Sequence, residues 1–192
     1  EILREYNGSA NGILLRGFSN IPELPHFGIS YALNPAAIAA YPMYRGVAGL
    51  LGMDVLESKQ TFEDEIKTLE ANYSKDYDYF FLHYKPADSA GEDGNFAQKV
   101  AMLEEFDSQL ERILLLKPDV LVVCGDHSTP SYIASHSWHP VPFLISSNLS
   151  QGRVGAKFTE NSCQDGSIGS IRAEELMLLV LSHADKLNKF GP

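Results

Sequence analysis

Short apolar runs alternate along this chain with stretches of helical period. Val120–Cys124 is an unbroken apolar run and Tyr77–Tyr84 is strongly β-prone, so both read as strands covered by neighbouring layers. Between them, Phe96–Leu116 sets Val100, Leu103, Phe106, Leu110, Ile113 and Leu114 on one helical face, with Asn95 as cap and Pro118 as stop. Upstream, Ala36–Ala40 and Met53–Leu56 read as strands around a helix opened by Pro42 and running to Leu51. Gly12–Gly17 is a further short strand, and Glu1–Tyr6 the tail of a helix. Thr61–Asp64 has the form of a capping box, with Phe62, Ile66 and Leu69 following at helical spacing. Val141–Ser146 is a strand, and Ala173–Lys189 a closing helix. The segments up to His26, Lys85–Asn95 and Ser128–Pro140 read as loops. Strands alternating with helices predict an α/β fold with a mainly parallel sheet flanked by helices. Ser58–Thr61 reads as a boundary, dividing residues 1–58 from residues 59–192.

Three polar clusters fall beside predicted strand ends, where open α/β sheets hold their ligands. Asp88, Glu92 and Asp93 follow the Tyr77–Tyr84 strand, and Asp126-His127 follows Val120–Cys124 directly. Two strands joined by one crossover helix should run parallel and deliver both loops to one edge. His136 precedes its strand, so it reaches that edge only if its loop folds over or the strand runs antiparallel. Carboxylates and imidazoles meeting there suit borderline divalent ions, and two such ions would clamp the oxygens of a phosphoryl transfer. The blander reading is that Asp126 caps the next segment and His127 lies on the surface. Ser128, next to these ligands, reads as a backbone-capping hydroxyl and not a nucleophile. His83, His139, Trp138 and Cys124 read as structural, His26 and His183 as surface residues.

Composition narrows the field. The 192 residues are 44% hydrophobic and 21% charged, the profile of a globular domain. A net charge of −10 argues against a nucleic-acid or anionic-membrane partner, and a phosphorylated substrate would need local cations to approach. Two cysteines give no disulfide framework, so reduced thiols in the cytoplasm are the simpler account. No apolar stretch approaches the roughly 20 residues of a bilayer span. The chain opens at Glu1 within an apparent helix, which fits a trimmed or partial chain.

Gly125-Asp126-His127-Ser128-Thr129-Pro130, His136-Ser137 before Pro140-Val141-Pro142, and Lys85-x-x-Asp88-x-x-Gly91-x-Asp93-Gly94 together resemble the cofactor-independent phosphoglycerate mutases, in their archaeal-type branch within the alkaline phosphatase superfamily. Ala10–Gly17, Ile38–Gly46, Gly166–Gly169 and Glu175–Met177 extend the resemblance over nearly the whole chain, but only to the second half of such an enzyme. The resemblance implies an alkaline-phosphatase-like domain at residues 59–192 and part of a smaller α/β transferase domain at 1–58. It implies two divalent ions, Mn²⁺ foremost with Mg²⁺ or Zn²⁺ as alternatives. Asp126 and His127 would hold one, Asp88 and His136 the other. Glu92 stands where the family usually has histidine, adding a harder oxygen ligand unless Asp93 takes the place. Arg16 and Arg45 look like substrate-clamping positions of the family, since guanidinium groups grip phosphate and carboxylate in pairs, and Lys85 is a candidate third substrate-binding cation near the metals.

The implied reaction interconverts 3- and 2-phosphoglycerate through a phosphoserine. The family's nucleophilic serine lies in an N-terminal segment with no counterpart here, so that segment or a second chain must supply it. The alternatives are a related phosphohydrolase or phosphotransferase acting on another small metabolite, and a non-catalytic metal-binding remnant.

Overall fold

The computed structural model describes residues 12, 14–15, 17–150 and 157–187. The expected helix tail at 1–6, Ile13 and Arg16 of the expected first strand, and the last residues of the closing helix lie outside them.

Three strands form a parallel sheet: β1 (Pro35–Ala39) at the centre, β2 (Asp54–Val55) on one side and β3 (Tyr79–His83) on the other. Each residue of β1 is buried, and its alternating side chains feed two apolar clusters. Ile38 joins Phe62, Ile66 and Leu69 of α3 (Phe62–Asn72) and Ile113 of α5 (Phe96–Leu115). Ala37 meets Ala48 of α2 (Pro42–Leu50) and Met53, with Phe27 of α1 (Phe27–Tyr31) beside them. The alanines that made β1 hard to read as a strand are what let α2 lie close to it. The sheet takes strands from both sides of residue 58, so the boundary expected there is not a break in the hydrogen-bonded sheet.

Local signals set the helix starts. The Thr61 side chain accepts the Asp64 backbone N–H while its hydroxyl donates to the Asp64 carboxylate. Asn95 accepts the Gln98 N–H at the start of α5. Arg112 of α5 then grips Glu70 of α3 with two hydrogen bonds, at 2.8 and 2.6 Å.

β4 (Val120–Cys124) corrects the expected pairing. It forms a separate antiparallel pair with β5 (Phe143–Ser147), and no ladder joins it to β3 among the described residues. Cys124, expected inside, ends β4 exposed, and Trp138 is 87% exposed on the following loop. The polar segment expected as loop at Lys85–Asn95 contains α4 (Pro86–Glu92), because Pro86 pre-sets a first helical turn despite the two glycines. The closing helix is shorter than expected: after α6 (Glu160–Gln164), a 3₁₀ turn at Ala173–Glu175 leads into α7 (Leu176–His183). His183 is half-buried against the Ser147 hydroxyl, 2.8 Å away, and not a free surface residue.

Glu65 is 2% exposed in α3, and its carboxylate accepts the Ala40 backbone N–H at the end of β1. Burial pushes its pKa up to about 7, against the lowering effect of that hydrogen bond. The folded value exceeds the ordinary 4.5, so the native state holds the proton longer than the unfolded chain does. Stability is therefore greatest at the acid side of this window, falls as pH rises from about 4.5 to about 7, and levels off above. The size is about 3 kcal/mol from the two values. Glu65→Gln should flatten that slope in melting curves taken from pH 5 to 8 and raise the melting temperature at pH 8.

Candidate metal centre

Three segments distant in sequence supply the site. β3 ends at His83, and α4 follows after two residues, turning Asp88 of its first turn toward the sheet edge. β4 ends at Cys124 and the turn after it presents Asp126 and His127. Because β5 runs antiparallel, with Phe143 opposite Cys124, the residues just before it lie at the same end as those just after β4. A bridge between Ser128 and Ser137 pins the loop there, with the Ser137 N–H donating to the Ser128 carbonyl at 2.9 Å. His136 thereby arrives beside His127, their rings 4.0 Å apart. The antiparallel route considered for His136 is the one the chain takes.

One ligand atom from each of Asp88, His127 and His136 lies within 4.8 Å of the other two. Asp88 Oδ1 is 3.8 Å from His127 Nδ1 and 3.8 Å from His136 Nε2. Glu92, one turn on from Asp88, places Oε1 3.3 Å from His136 Nε2, and Asp126 Oδ2 is 3.6 Å from His127 Nε2. Asp93 is the exposed C-cap of α4, with no ion pair to this group among the described residues. Lys85 bonds to Asp88 and lies 3.7 Å from Glu92. Burial alone would raise the Asp88 pKa, but the hydrogen bonds from Lys85 and Thr129 outweigh it and hold the carboxyl below its ordinary range. Burial likewise works against Asp126, and the Tyr44 hydroxyl with the nearby His127 prevails, keeping it ionised. Three carboxylates thus face one ammonium and two imidazoles. A mixed oxygen and nitrogen donor set with excess negative charge fits a divalent cation.

No role is read from the sequence for Thr129, Tyr44 or Gly91, each of which supports this cluster. Thr129 is 4% exposed; its hydroxyl donates to Asp88 and lies 3.0 Å from His127 Nδ1, touching two of the three donors. Its place two residues after His127 in the Gly-Asp-His-Ser-Thr-Pro run was the available signal. Tyr44 of α2 donates to Asp126, and His83 stacks on the Tyr44 ring at 3.6 Å. Burial lowers the His83 pKa, so the ring is neutral there. Nothing in the spacing of Tyr44 marks it, because it reaches Asp126 from across the sheet edge. Gly91 has a steric reason: a Cβ there would collide with the Thr129 carbonyl, so α4 can lie against the His127–Thr129 turn only without a side chain.

The substrate cations divide. Lys85 is at the cluster and lines a cavity of about 230 Å³ with Tyr41, Gln60, Glu65, His83 and Ser89. Arg45, on α2 next to Tyr44, pairs with Glu57 at 2.5 Å. Arg16 lies outside the described residues. Second neighbours that orient a ligand are typically worth 10–100-fold in metal affinity. Thr129→Val removes one such neighbour from both Asp88 and His127, so it should weaken divalent-metal binding by about that factor in a calorimetric titration while leaving the fold intact.

The Metalloenzyme superfamily sequence pattern matches residues 6–183. Curated relatives described as probable 2,3-bisphosphoglycerate-independent phosphoglycerate mutases are similar along the whole chain. Those of Thermotoga neapolitana and Aquifex aeolicus are 49% and 50% identical, over 191 and 192 residues. This chain spans about half their length, 47% of each. Among solved structures, the PH0037 protein of Pyrococcus horikoshii superposes over 88% of this chain and 54% of its own, with a TM-score of 0.81 and 29% identity. The cofactor-independent phosphoglycerate mutase of Thermoplasma acidophilum shares the fold, with a TM-score of 0.61 and 21% identity over 85% of this chain and 39% of its own.

Proposed function

Since this chain belongs to the metalloenzyme superfamily, we propose that it is the metal-holding part of a phosphoglycerate mutase that interconverts 3- and 2-phosphoglycerate. The observation that carries this reading is the convergence of Asp88, His127 and His136 from three separate segments. The names of the half-matched relatives supply the substrate.

In this reading Asp88, Glu92 and His136 serve one divalent ion and Asp126 with His127 a second, Mn²⁺ being favoured by the share of carboxylate oxygen. Such ions would supply positive charge opposite the phosphoryl oxygens. The chain's own residues do the rest. Thr129 fixes the Asp88 carboxylate against the His127 ring. Tyr44 orients Asp126. Lys85 offsets part of the carboxylate charge and offers its ammonium to an incoming phosphate. Arg45 can hold the substrate carboxylate once it leaves Glu57, an exposed pair of small energy, and Arg16 is assigned the same task. The nucleophilic serine comes from the part of the longer protein outside these 192 residues, and the reaction belongs to the cytoplasm.

Full-length protein supplied with Mn²⁺ and 3-phosphoglycerate should form 2-phosphoglycerate, followed by phosphorus NMR. Release of inorganic phosphate with no 2-phosphoglycerate would sink the mutase reading and leave a phosphohydrolase.

A further inference from the structure

We infer that Lys99 of α5 is a positioning residue of the metal centre: its ammonium holds the Thr129 backbone carbonyl, and with it the His127–Thr129 turn, against the side of α4 that carries Asp88 and Glu92. The inference rests on the metal-binding reading of that group and not on the mutase reaction.

The donors come from two segments that must be seated on one another. Asp88 and Glu92 ride on α4, whereas Asp126, His127 and His136 belong to the loop between β4 and β5. Their spacing therefore depends on how that loop sits on the corner where α4 turns into α5. Backbone hydrogen bonds tie the corner itself: the Gly94 N–H donates to the Gly91 carbonyl and the Asn95 N–H to the Ala90 carbonyl, each at 3.0 Å. Gly94 has a φ of +66°, which glycine adopts without strain. A Cβ added there would stand 3.4 Å from the Ala134 side chain and from the Ser131 carbonyl, so the loop rests on the corner at this point.

Lys99 lies in the first turn of α5, half-buried, with its own N–H bonded to the Asn95 carbonyl at 2.9 Å. Helical side chains lean toward the N-terminus, so its stem reaches back over the corner. There Nζ donates to the Thr129 carbonyl at 2.5 Å. Gly91 lies beneath this contact. A Cβ on it would collide with the Thr129 carbonyl and come 3.2 Å from Lys99 Nζ, so the bare glycine leaves room for both.

This is not the setting of a solvated lysine. Among the described residues its ammonium bonds to a main-chain oxygen and pairs with no carboxylate. A cation in the first turn also faces the positive end of the helix dipole, so helix stability gives no reason for it. The carbonyl does. Thr129 is 4% exposed, and a main-chain oxygen withdrawn from water needs a donor. The Thr129 hydroxyl donates to Asp88 and lies 3.0 Å from His127 Nδ1. The preceding carbonyl, of Ser128, accepts the N–H of Ser137, next to His136. One ammonium thus steadies a turn tied to Asp88, His127 and His136.

Mn²⁺ is the probe, titrated calorimetrically into the full-length protein, with the melting temperature of the metal-free protein measured alongside. Lys99→Met keeps the length of the stem and removes both donor and charge. Charge alone would make a cation bind more tightly once a neighbouring ammonium is gone. Loss of the hydrogen bond should instead weaken binding by about 10–100-fold, as for other groups that orient a ligand. Lys99→Arg, still able to donate to the carbonyl, should bind within about threefold of the parent. Lys67→Met, which removes an exposed charge paired with Glu63 on α3, should leave the affinity unchanged. A Lys99→Met protein that binds Mn²⁺ as tightly as the parent, or more tightly, overturns the inference even if its melting temperature falls. Should that variant not fold, crystals of the full-length protein decide: Nζ within about 3.2 Å of the Thr129 carbonyl supports the inference, and a longer separation overturns it. A parent protein that takes up no divalent ion would retire the metal reading and this inference with it. A parent that binds, with Lys99→Met unchanged, would remove the inference alone.

Discussion

On the proposed mutase reading, Asp88→Ala in the full-length protein is expected to lower turnover by about 10³-fold or more and to weaken divalent-metal binding in parallel. The figure exceeds the 10–100-fold usual for a residue that only orients a ligand, because Asp88 is, among the described residues, the carboxylate that lies beside both histidines. Its Oδ1 lies 3.8 Å from each of His127 and His136, while Thr129 and Lys85 hold the carboxylate in place. Asp88 is also mostly covered, with 16% of its side chain exposed, so bulk water is a poor substitute for the lost oxygen. Parallel loss of affinity and turnover is the signature to look for. A variant that binds Mn²⁺ as tightly as the parent would remove Asp88 from the ligand set. An unchanged melting curve without metal would show that the loss is local.

Ile66→Ala should cost about 3–4 kcal/mol of folding stability, within the range for truncating a fully buried branched side chain. Ile66 is 0% exposed and packs in the cluster that joins β1, α3 and α5. That cluster sets the height of α3 and α5 over the sheet. For a chain of this length the change amounts to roughly 10 °C in melting temperature. Leu115→Ala on the exposed side of α5 should cost less than about 0.5 kcal/mol. A small effect at Ile66 would mean that the cluster collapses around the gap and that the core is less closely packed than its burial indicates.

Much of this was legible in the sequence, for identifiable reasons. β4 was found to the residue because Val120–Cys124 is apolar throughout and closed by Gly125. α5 was found within a residue because Asn95 and Pro118 bracket a clean helical period. Asp88, Asp126, His127 and His136 lie near one another as the motifs led one to expect, although the parallel pairing of the two strands from which this was argued is not the one found. What was hidden depends on neighbours that no local pattern names. That β4 pairs with β5, with no ladder to β3 among the described residues, is a matter of tertiary arrangement that no local pattern carries. Helix α4 forms in a stretch with the composition of a loop, because Pro86 starts it and Gly91 lets it lie against Thr129. Tyr44 reads as one more aromatic on a core-facing helix, and only the fold shows that its hydroxyl reaches Asp126.

The most direct measurement is an anomalous-scattering map from crystals of the full-length protein grown with Mn²⁺. A manganese peak within roughly 2.0–2.4 Å of Asp88 and of the His136 ring is the expected result. Manganese bound elsewhere, with Asp88, His127 and His136 still grouped but touching no ion, would contradict the single cation pocket on which the whole reading stands.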